Sequence, residues 1–536
     1  MNRSTLKFVP RSSSRRKALI LSFSSPMNIL PFITGYAPFF TVHQAAHLKQ
    51  AASQLLGPLA VALLTCPWSG PALVAAPLAE RPNIILCMAD DQGWGDVGFR
   101  GHPVLLTPTL DEMARSSLRL ERFYAAAPVC SPTRGSVFTG RHPNRYGCLA
   151  WGHSLHPAEI TIAEALQRAG YQTGHFGKWH IGSVRPDNPV SPGASGFHEW
   201  LSSPNFFESN PLMVHNGRVV KTVGEGSQVT VDAAIEFIRG AVRQNTRFLA
   251  VVWFGSPHVP HLASAEDRQP YRDHPEKLQH FYGEITAMDR AIGRLRQELR
   301  RLHISENTLF WYNSDNGALP VGSTGGLAGE KGTLHEGGIR VPAIIEWPAG
   351  IRTPRISSLP CGTVDIYPTL IDLVGVDVPN QPRPLDGISL VPLFTNRMSA
   401  RGAPLGFWTY PVEGKPVYSS RILRQLAREQ ESDPQVVRAD PLTPFPDDPS
   451  RPYSETYLPG EAAWIHENYK LHRTVDQNNN RQDHLFDLTS DPAETSDLGD
   501  QQPQRLEAMR NALHHWQVSV VRSLNGSDYQ PAGQAN

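Results

Sequence analysis

The sequence predicts an α/β fold, with helices on both faces of a sheet and a smaller α+β subdomain at the C-terminal end. Three observations carry this. Short apolar runs of strand length alternate with helical patterns through the middle of the chain, as a doubly wound sheet requires. Two of those runs stop at acidic clusters, and open α/β sheets bind ligands beyond the carboxyl ends of their strands. After about Pro392 the alternation gives way to short paired strands and a final helix.

In chain order, Asn83–Ala89 is a strand-length apolar run that ends at Asp90-Asp91-Gln92-Gly93. Pro132 suits the first turn of a helix, where no amide donor is needed, and residues 135 to 139 can continue it. Thr161 and Glu164 form a capping box that opens a short helix stopping at Gly170. Phe248–Phe254 is a third apolar run and leads to Ser256-Pro257-His258. The clearest helix spans about Pro275 to Leu302, with Leu278, Phe281, Ile285, Met288, Ile292, Leu295 and Leu299 at three-four spacing. Thr308–Tyr312 is another strand and stops at Asn313-Ser314-Asp315-Asn316-Gly317.

Residues 426–460 are rich in Pro, Asp, Glu, Arg and Ser without a period, which predicts a long loop. Residues 463–465 and 469–472 read as paired strands, and Leu506, Met509, Leu513 and Trp516 mark a last helix. Residues 1–80 differ from the rest. A basic start and an apolar stretch from Leu55 to Leu64 read as a secretory signal, so the protein is expected to be secreted or periplasmic. Arg15-Arg16 also fits a twin-arginine signal, and a start at Met27 would shorten the leader. The stretch is too short and too interrupted for a stable membrane span. The expected division is a leader over 1–80, a catalytic domain over 81–395 and a C-terminal subdomain over 396–536.

Lys plus Arg balances Asp plus Glu at 50 each, which excludes a general nucleic-acid binder. The 5 cysteines do not form a disulfide framework, although pairing among Cys87, Cys148 and Cys361 stays open.

Chemistry concentrates in six segments. Asp90, Asp91, Asp315 and Asn316 lie at strand ends and make an oxygen-rich cage suited to a hard divalent cation. Taken singly, each cluster also reads as a turn. Cys130-Ser131-Pro132-Thr133-Arg134 would place Cys130 at a helix N-terminus, where amides and macrodipole favour an anion. Lys178 and His180 stand two apart, so an extended segment points them to one face. His258, at a strand end, has the pKa range of a general acid. His261 reads as a structural histidine. Lys331 sits in Gly329-Glu330-Lys331-Gly332-Thr333-Leu334-His335-Glu336-Gly337-Gly338.

These segments resemble, in order, the motifs of the type I sulfatases: C-x-P-x-R, G-Y-x-T-x-x-x-G-K-W-H at Gly170–His180, and G-x-K-G-T-x-x-E-G-G-x-R-x-P at Gly329–Pro342. Leu485-Phe486-Asp487-Leu488 with Asp491, Pro492 and Glu494 is similar to the family's closing motif. His335 departs mildly, since aromatic residues are usual there. The resemblance implies an alkaline-phosphatase-like fold with a large mixed, mostly parallel sheet sandwiched by helices. It also implies that a formylglycine-generating enzyme oxidises Cys130 to formylglycine, and that Asp90, Asp91, residue 130, Asp315 and Asn316 hold calcium or magnesium. Arg134 would brace the hydrated aldehyde. Lys178 and Lys331 would hold the sulfate, with His180 and His258 as proton carriers. The implied activity is hydrolysis of a sulfated carbohydrate or aryl sulfate, and Gly196–Trp200 with Ser203-Pro204-Asn205 looks similar to the arylsulfatase A and N-acetylgalactosamine-6-sulfatase branch. Two alternatives stand beside it: a phosphomonoester or phosphonate ester hydrolase, and an inactive sulfated-glycan-binding protein. Oligomeric state is left open.

Overall fold

The structure, a computed structural model, describes residues 81–432, 452–478 and 480–529. The expected leader, with Cys66, lies outside them. The strands of the main sheet are β1 (Asn83–Ala89), β2 (Leu118–Tyr124), β3 (Gln172–Lys178), β4 (Glu199–Ser203), β5 (Leu212–His215), β6 (Arg218–Lys221), β7 (Phe248–Trp253), β8 (Thr308–Ser314), β9 (Arg340–Glu346), β10 (Arg355–Ser357) and β11 (Cys361–Gly362). Their order is β10-β2-β9-β8-β1-β7-β3-β4-β5-β6, with β11 also paired to β2. The centre, β8-β1-β7-β3-β4, is parallel, and β9, β5 and β6 supply antiparallel pairings. The mixed, mostly parallel sheet is therefore as expected.

Both faces of the sheet are covered, which explains why its central strands read as unbroken apolar runs rather than alternating ones. Ile84, Leu86 and Met88 of β1 pack to one side with Leu249, Val251 and Trp253, while Ile85, Cys87 and Ala89 pack to the other with Phe248, Ala250 and Val252. Helix Glu276–Arg301 covers the second side, burying Phe281, Ile285, Met288, Ile292, Leu295 and Leu299 from the predicted stripe. The Thr161–Glu164 capping box forms, and its helix runs Ile162–Arg168. Cys87, Cys130, Cys148 and Cys361 are free and buried, so no disulfide forms among the described residues.

A second sheet, β12 (Leu405–Trp408), β13 (Ala462–His466), β14 (Tyr469–Val475) and β15 (Arg481–Asp487), is antiparallel throughout. One face packs Phe407, Ala463 and Ile465 against Tyr124 and Ile339. The other packs Trp464, Leu471 and Leu485 against Met509 and Leu513 of the last helix, Pro503–Leu524. The expected loop over 426–460 is corrected at its start. Helix Ser419–Ser432 buries Leu423 and Leu426, and residues 433–451 lie outside the described part. Its two-turn apolar spacing is too short to stand out against the many charges around it.

Candidate active site

The parallel strands aim their carboxyl ends at one place. Asp90 and Asp91 follow β1, Asp315 and Asn316 follow β8, and Lys178 ends β3. All five are fully buried. The adjacent strands share a register in which Ala89 pairs Ser314, so the two acidic clusters meet side by side. Asp91 adopts φ 70, a strained value for a non-glycine residue and a mark of a site whose surroundings enforce it. The Asp91 amide donates to Asp315 Oδ1 at 3.0 Å, and Asn316 Nδ2 donates to Asp91 Oδ1 at 2.8 Å.

Cys130 is the first residue of helix Cys130–Thr139, behind Val129, which offers no side-chain cap. An uncapped N-terminus aimed into a buried acidic cluster has donors to spare for an anion. Burial pushes the Cys130 thiol up to about 12, against the pull of Lys178 and Lys331. Arg134, one turn on, donates to Asp315 Oδ2 from Nε at 3.1 Å and from Nη2 at 2.7 Å, and to the Lys178 carbonyl at 3.3 Å. It also lies 3.5 Å from Asp90 Oδ1.

Lys178 Nζ lies 2.7 Å from Asp90 Oδ2. Lys331 Nζ lies 2.7 Å from Asp91 Oδ2 and 2.5 Å from Oδ1. The two ammonium groups thus divide the adjacent carboxylates between them. Burial raises Asp90 well above the ordinary carboxylate range, with Asp315 and Asp91 adding to the effect and Lys178 opposing it. Burial also works on Asp91, but Lys331, His258 and Lys178 outweigh it and hold that carboxyl far down. Burial thus pushes Asp90 up while the cations facing Asp91 pull it down, so the two adjacent carboxyls are shifted in opposite directions.

The residues fit a hard cation on an observation independent of any motif. Asp90 Oδ1 and Asn316 Oδ1 are buried with no hydrogen-bond partner, and orphaned buried oxygens of this kind are uncommon unless something coordinates them. Asp90, residue 130 and Asp315 have ligand atoms within 4.8 Å of one another, as do Asp91, residue 130 and His258.

His180 and His258 complete the ring. His180 sits at φ 56, so the chain turns after β3 and the extended geometry expected for Lys178 and His180 does not hold. The two stay close nonetheless. Burial, then Lys178, then Arg134 hold the His180 imidazole neutral. Both of its ring nitrogens are buried without a partner. His258 Nδ1 faces the Val259 carbonyl at 2.6 Å, Nε2 is 3.6 Å from Asp91 Oδ2, and the ring stacks on Phe206 with centroids 4.5 Å apart. Burial pushes His258 down to about 4, with Asp91 opposing. His261 instead faces Glu284 Oε2 at 3.3 Å, the structural contact expected of it.

The Lys331 loop is held by close backbone packing. A Cβ at Gly317 would lie 1.9 Å from the Gly337 carbonyl oxygen, so only glycine lets the Asn316 turn touch the Glu336-Gly337-Gly338 turn. Glu336 is fully buried and is paired by Lys470 Nζ at 3.2 Å, which also reaches Glu494 Oε1 at 2.9 Å. The Glu336 amide donates to Glu494 Oε2 at 2.6 Å. The family's closing motif thereby anchors the loop that carries Lys331. Lys470 was legible only as a strand residue, because its partners lie far away in sequence.

Above the cage opens a cavity of about 320 Å³, lined by Cys130, His180, His258 and Lys331 and by Trp151, Asn205, Phe206, Pro416, Val417 and Tyr418. Sequence reading did not single out Trp151, Phe206 or the 416–418 segment, and no motif marks them. A larger groove of about 670 Å³, bordered by Gln172, Glu199, Phe237 and Gln244, contains none of these groups.

A buried acidic cage, paired cations and a helix N-terminus converging on one residue define a hydrolase of anionic esters. The sulfatase family model matches residues 82–376. N-acetylgalactosamine-6-sulfatase of Rattus norvegicus is 32% identical over 386 residues, covering 64% of this chain and 69% of that protein. Arylsulfatase A of Bos taurus is 30% identical over 457 residues, covering 76% and 87%. Among solved structures, Ps i-CgsB in complex with k-i-k-neocarrahexaose has a TM-score of 0.69 at 24% identity, covering 82% of this chain and 93% of that one. The phosphonate monoester hydrolase of Agrobacterium radiobacter has a TM-score of 0.54 at 21% identity, covering 82% and 96%. At these identities the two structures speak for the fold alone. The chain belongs to the sulfatase family, and it is a sulfuric ester hydrolase.

Proposed function

We propose that this protein cleaves sulfate monoesters of a sugar or phenol with hydrated formylglycine at position 130 as nucleophile. One observation carries the reading: residue 130, at an uncapped helix N-terminus, lies among three buried carboxylates, Lys331, His180 and His258. Cys130 Sγ stands where the aldehyde oxygen would be. Hydration adds water across that carbonyl and gives two hydroxyls on one carbon. The first hydroxyl gives its proton to the neighbouring Asp315 carboxylate as its oxygen forms a bond to sulfur and the bond from sulfur to the alcohol oxygen breaks, and His258, entering the step in the imidazolium form that Asp91 and the bound sulfate favour, delivers a proton to that leaving oxygen. His180, whose ring nitrogens are free, takes the proton of the second hydroxyl. The bond from carbon to the sulfated oxygen then breaks, the carbonyl re-forms and sulfate departs.

Lys331 faces the cavity and balances the charge on the sulfate oxygens. Lys178 holds Asp90 and adds its field from behind. Arg134 fixes Asp315 and braces residue 130. Asp90, Asp91, Asp315, Asn316 and residue 130 would hold calcium or magnesium, which supplies polarisation of the sulfate oxygens and a lower pKa for the attacking hydroxyl.

Maturation requires a formylglycine-generating enzyme. A leader over residues 1–80 would export the chain to a secreted or periplasmic location, with the catalytic segment over 81–395 and the C-terminal segment over 396–536. Among the described residues no helix is long and apolar enough to cross a membrane.

The test is release of sulfate and of phosphate from matched aryl monoesters, using protein co-produced with a formylglycine-generating enzyme, with Cys130→Ala as control. Sulfate release that is lost in the control, together with a Cys130 peptide mass showing the aldehyde, is the expected result. Phosphate release alone, or turnover by the control, would overturn the mechanism.

A further inference from the structure

The cavity has two chemically distinct ends. At its floor are residue 130, His180, His258 and Lys331. Its mouth is aromatic. Trp151 is 40% exposed and Tyr418 is 59% exposed, and Phe206 lies between the mouth and the floor, stacked on His258 at an interplanar angle of 14°. Large exposed aromatics call for a use when they border the catalytic cavity.

This mouth is built rather than incidental. Gly414 lies flat against the Trp151 indole: a Cβ there would sit 2.1 Å from Trp151 Cε2. The Lys415 amide donates to the Trp151 carbonyl at 2.8 Å. Asn205 Nδ2 donates to the Val417 carbonyl, and the Asn205 backbone amide donates to Ser419 Oγ, each at 3.0 Å. The Tyr418 carbonyl accepts from the Arg421 and Ile422 amides at 3.1 Å, which ties that residue to the start of helix Ser419–Ser432. Trp151 and Tyr418, far apart in sequence, are therefore both held at the backbone while their rings stay open to solvent.

Charge completes the argument. Among the described residues that line the cavity, Lys331 is the one with a permanently charged side chain, and it is engaged with Asp91 at the floor. A second sulfate or a carboxylate on the leaving alcohol would enter a wall of aromatic, valine and proline side chains in which, among the described lining residues, no free cation stands to meet it. Removing such a charge from water without a partner is strongly unfavourable. A volume of about 320 Å³ is also at the small end of the range of roughly 300–1,000 Å³ that ligand pockets span.

We propose that Trp151 and Tyr418 form a leaving-group site for a single uncharged ring with an apolar face, so that the substrate class is a monosulfated neutral pyranose or a phenyl sulfate rather than a polyanionic chain. This rests on the sulfatase reading above. Stacking of the C–H face of a sugar or the face of a phenyl ring on the indole positions the ester oxygen over residue 130, while the sulfate occupies the cationic floor. Trp151 and Tyr418 are specificity residues, since neither touches the reacting atoms.

The test uses full-length protein whose formylglycine content has been verified by mass. Three esters are compared: 4-nitrophenyl sulfate, a monosulfated methyl hexopyranoside, and the same hexopyranoside carrying a second sulfate. The neutral-ring esters should exceed the disulfated one by at least about tenfold in kcat/KM, the scale of one unpaired buried charge. The better of the two neutral rings identifies the source. Trp151→Ala and Tyr418→Ala should each raise KM for that ester by roughly five- to tenfold, with kcat changed by less than about threefold, as expected for loss of a stacking contact. Trp151→Phe should recover most of the loss, and the inhibition constant of inorganic sulfate, which reports on the floor alone, should not move. Equal or better turnover of the disulfated ester, or alanine variants with unchanged KM, would overturn the proposal while leaving the sulfatase reading intact. No sulfate release from any ester by formylglycine-bearing protein would remove the sulfatase reading itself, and this inference with it.

Discussion

Lys331→Met removes the one ammonium among the described residues that line the cavity and leaves a side chain of similar length. In the structure Nζ is 2.7 Å from Asp91 Oδ2, and the side chain is 20% exposed, on the cavity side. Two effects follow, and their sizes differ. For catalysis, the sulfate oxygens lose a preorganised positive charge. Two unit charges about 4 Å apart at an effective dielectric of about 20 interact by about 4 kcal/mol, and deleting one preorganised contact costs about 2.7–4 kcal/mol of barrier. At about 1.36 kcal/mol per decade, kcat/KM should fall by roughly 10²–10³-fold. For stability the loss is smaller, because Asp91 keeps Asn316 Nδ2 at 2.8 Å and the His258 ring at 3.6 Å. A buried polar group left partly satisfied costs about 1–3 kcal/mol. The assay is initial rates on an aryl sulfate, at equal formylglycine content, beside urea unfolding of the same preparations. A variant with kcat/KM within about threefold of the parent, on the scale set for one electrostatic contact, would refute the assignment of Lys331 to the sulfate.

Other outcomes follow from the same structure. Lys470→Met removes the cation shared by Glu336 and Glu494, whose side chains are fully buried, and leaves Glu336 with the Tyr124 hydroxyl and Arg340 and Glu494 with the Glu336 amide, so unfolding free energy should fall by about 3 kcal/mol, the low end for a broken buried pair; a loss under about 1 kcal/mol by chemical denaturation would show that these remaining partners suffice. Chelation should lower the melting temperature, and excess calcium should restore it, with a gain of about 2.7 kcal/mol at a hundred times the dissociation constant; a melting curve indifferent to chelator would argue against cation binding by Asp90, Asp91, Asp315 and Asn316. Burial pushes His142 down to about 3, with Asp386 opposing and Arg145 adding to the effect. The unfolded chain therefore binds a proton in the window from about 6.5 down to 3 that the folded chain refuses, and stability is lost as pH falls through that window. Between pH 7 and 5 this one group accounts for about 2 kcal/mol. The parent should lose that much more than His142→Gln over the interval, and identical pH slopes would contradict the burial argument.

The sequence alone determined most of the elements and the class of hydrolase. Asn83–Ala89 and Thr308–Ser314 are strands because both of their faces are buried, which makes an unbroken apolar run the local signature. The long helix declares itself because one stripe meets the sheet and the other meets water. Cys130, Pro132 and Arg134 lie within five consecutive residues at the start of one helix, so local order alone places them together. His261 was separable from His258 because only the latter fell on a motif, and the Glu284 contact bears this out. The two-residue spacing of Lys178 and His180 misled for a physical reason: spacing predicts a shared face only while the chain stays extended, and φ 56 at His180 ends that.

Tertiary structure alone decided what depends on long-range proximity. No periodicity relates Lys470 to Glu336 and Glu494, since a buried charge finds its partner through the packing of the second sheet on the first. The division of Asp90 to Lys178 and Asp91 to Lys331 depends on where β3 ends and on how the Lys331 loop is seated, and that loop meets the Asn316 turn only where glycines let backbones touch. The walls of the cavity arise the same way. Trp151, Phe206 and Tyr418 come from three loops brought together by a strap after β12, and loops carry no hydrophobic period that would announce it. Catalytic chemistry demands particular residue types in rigid order and so leaves motifs in a sequence; a leaving-group site demands only a shape, which many sequences can build and which appears only once the chain has folded.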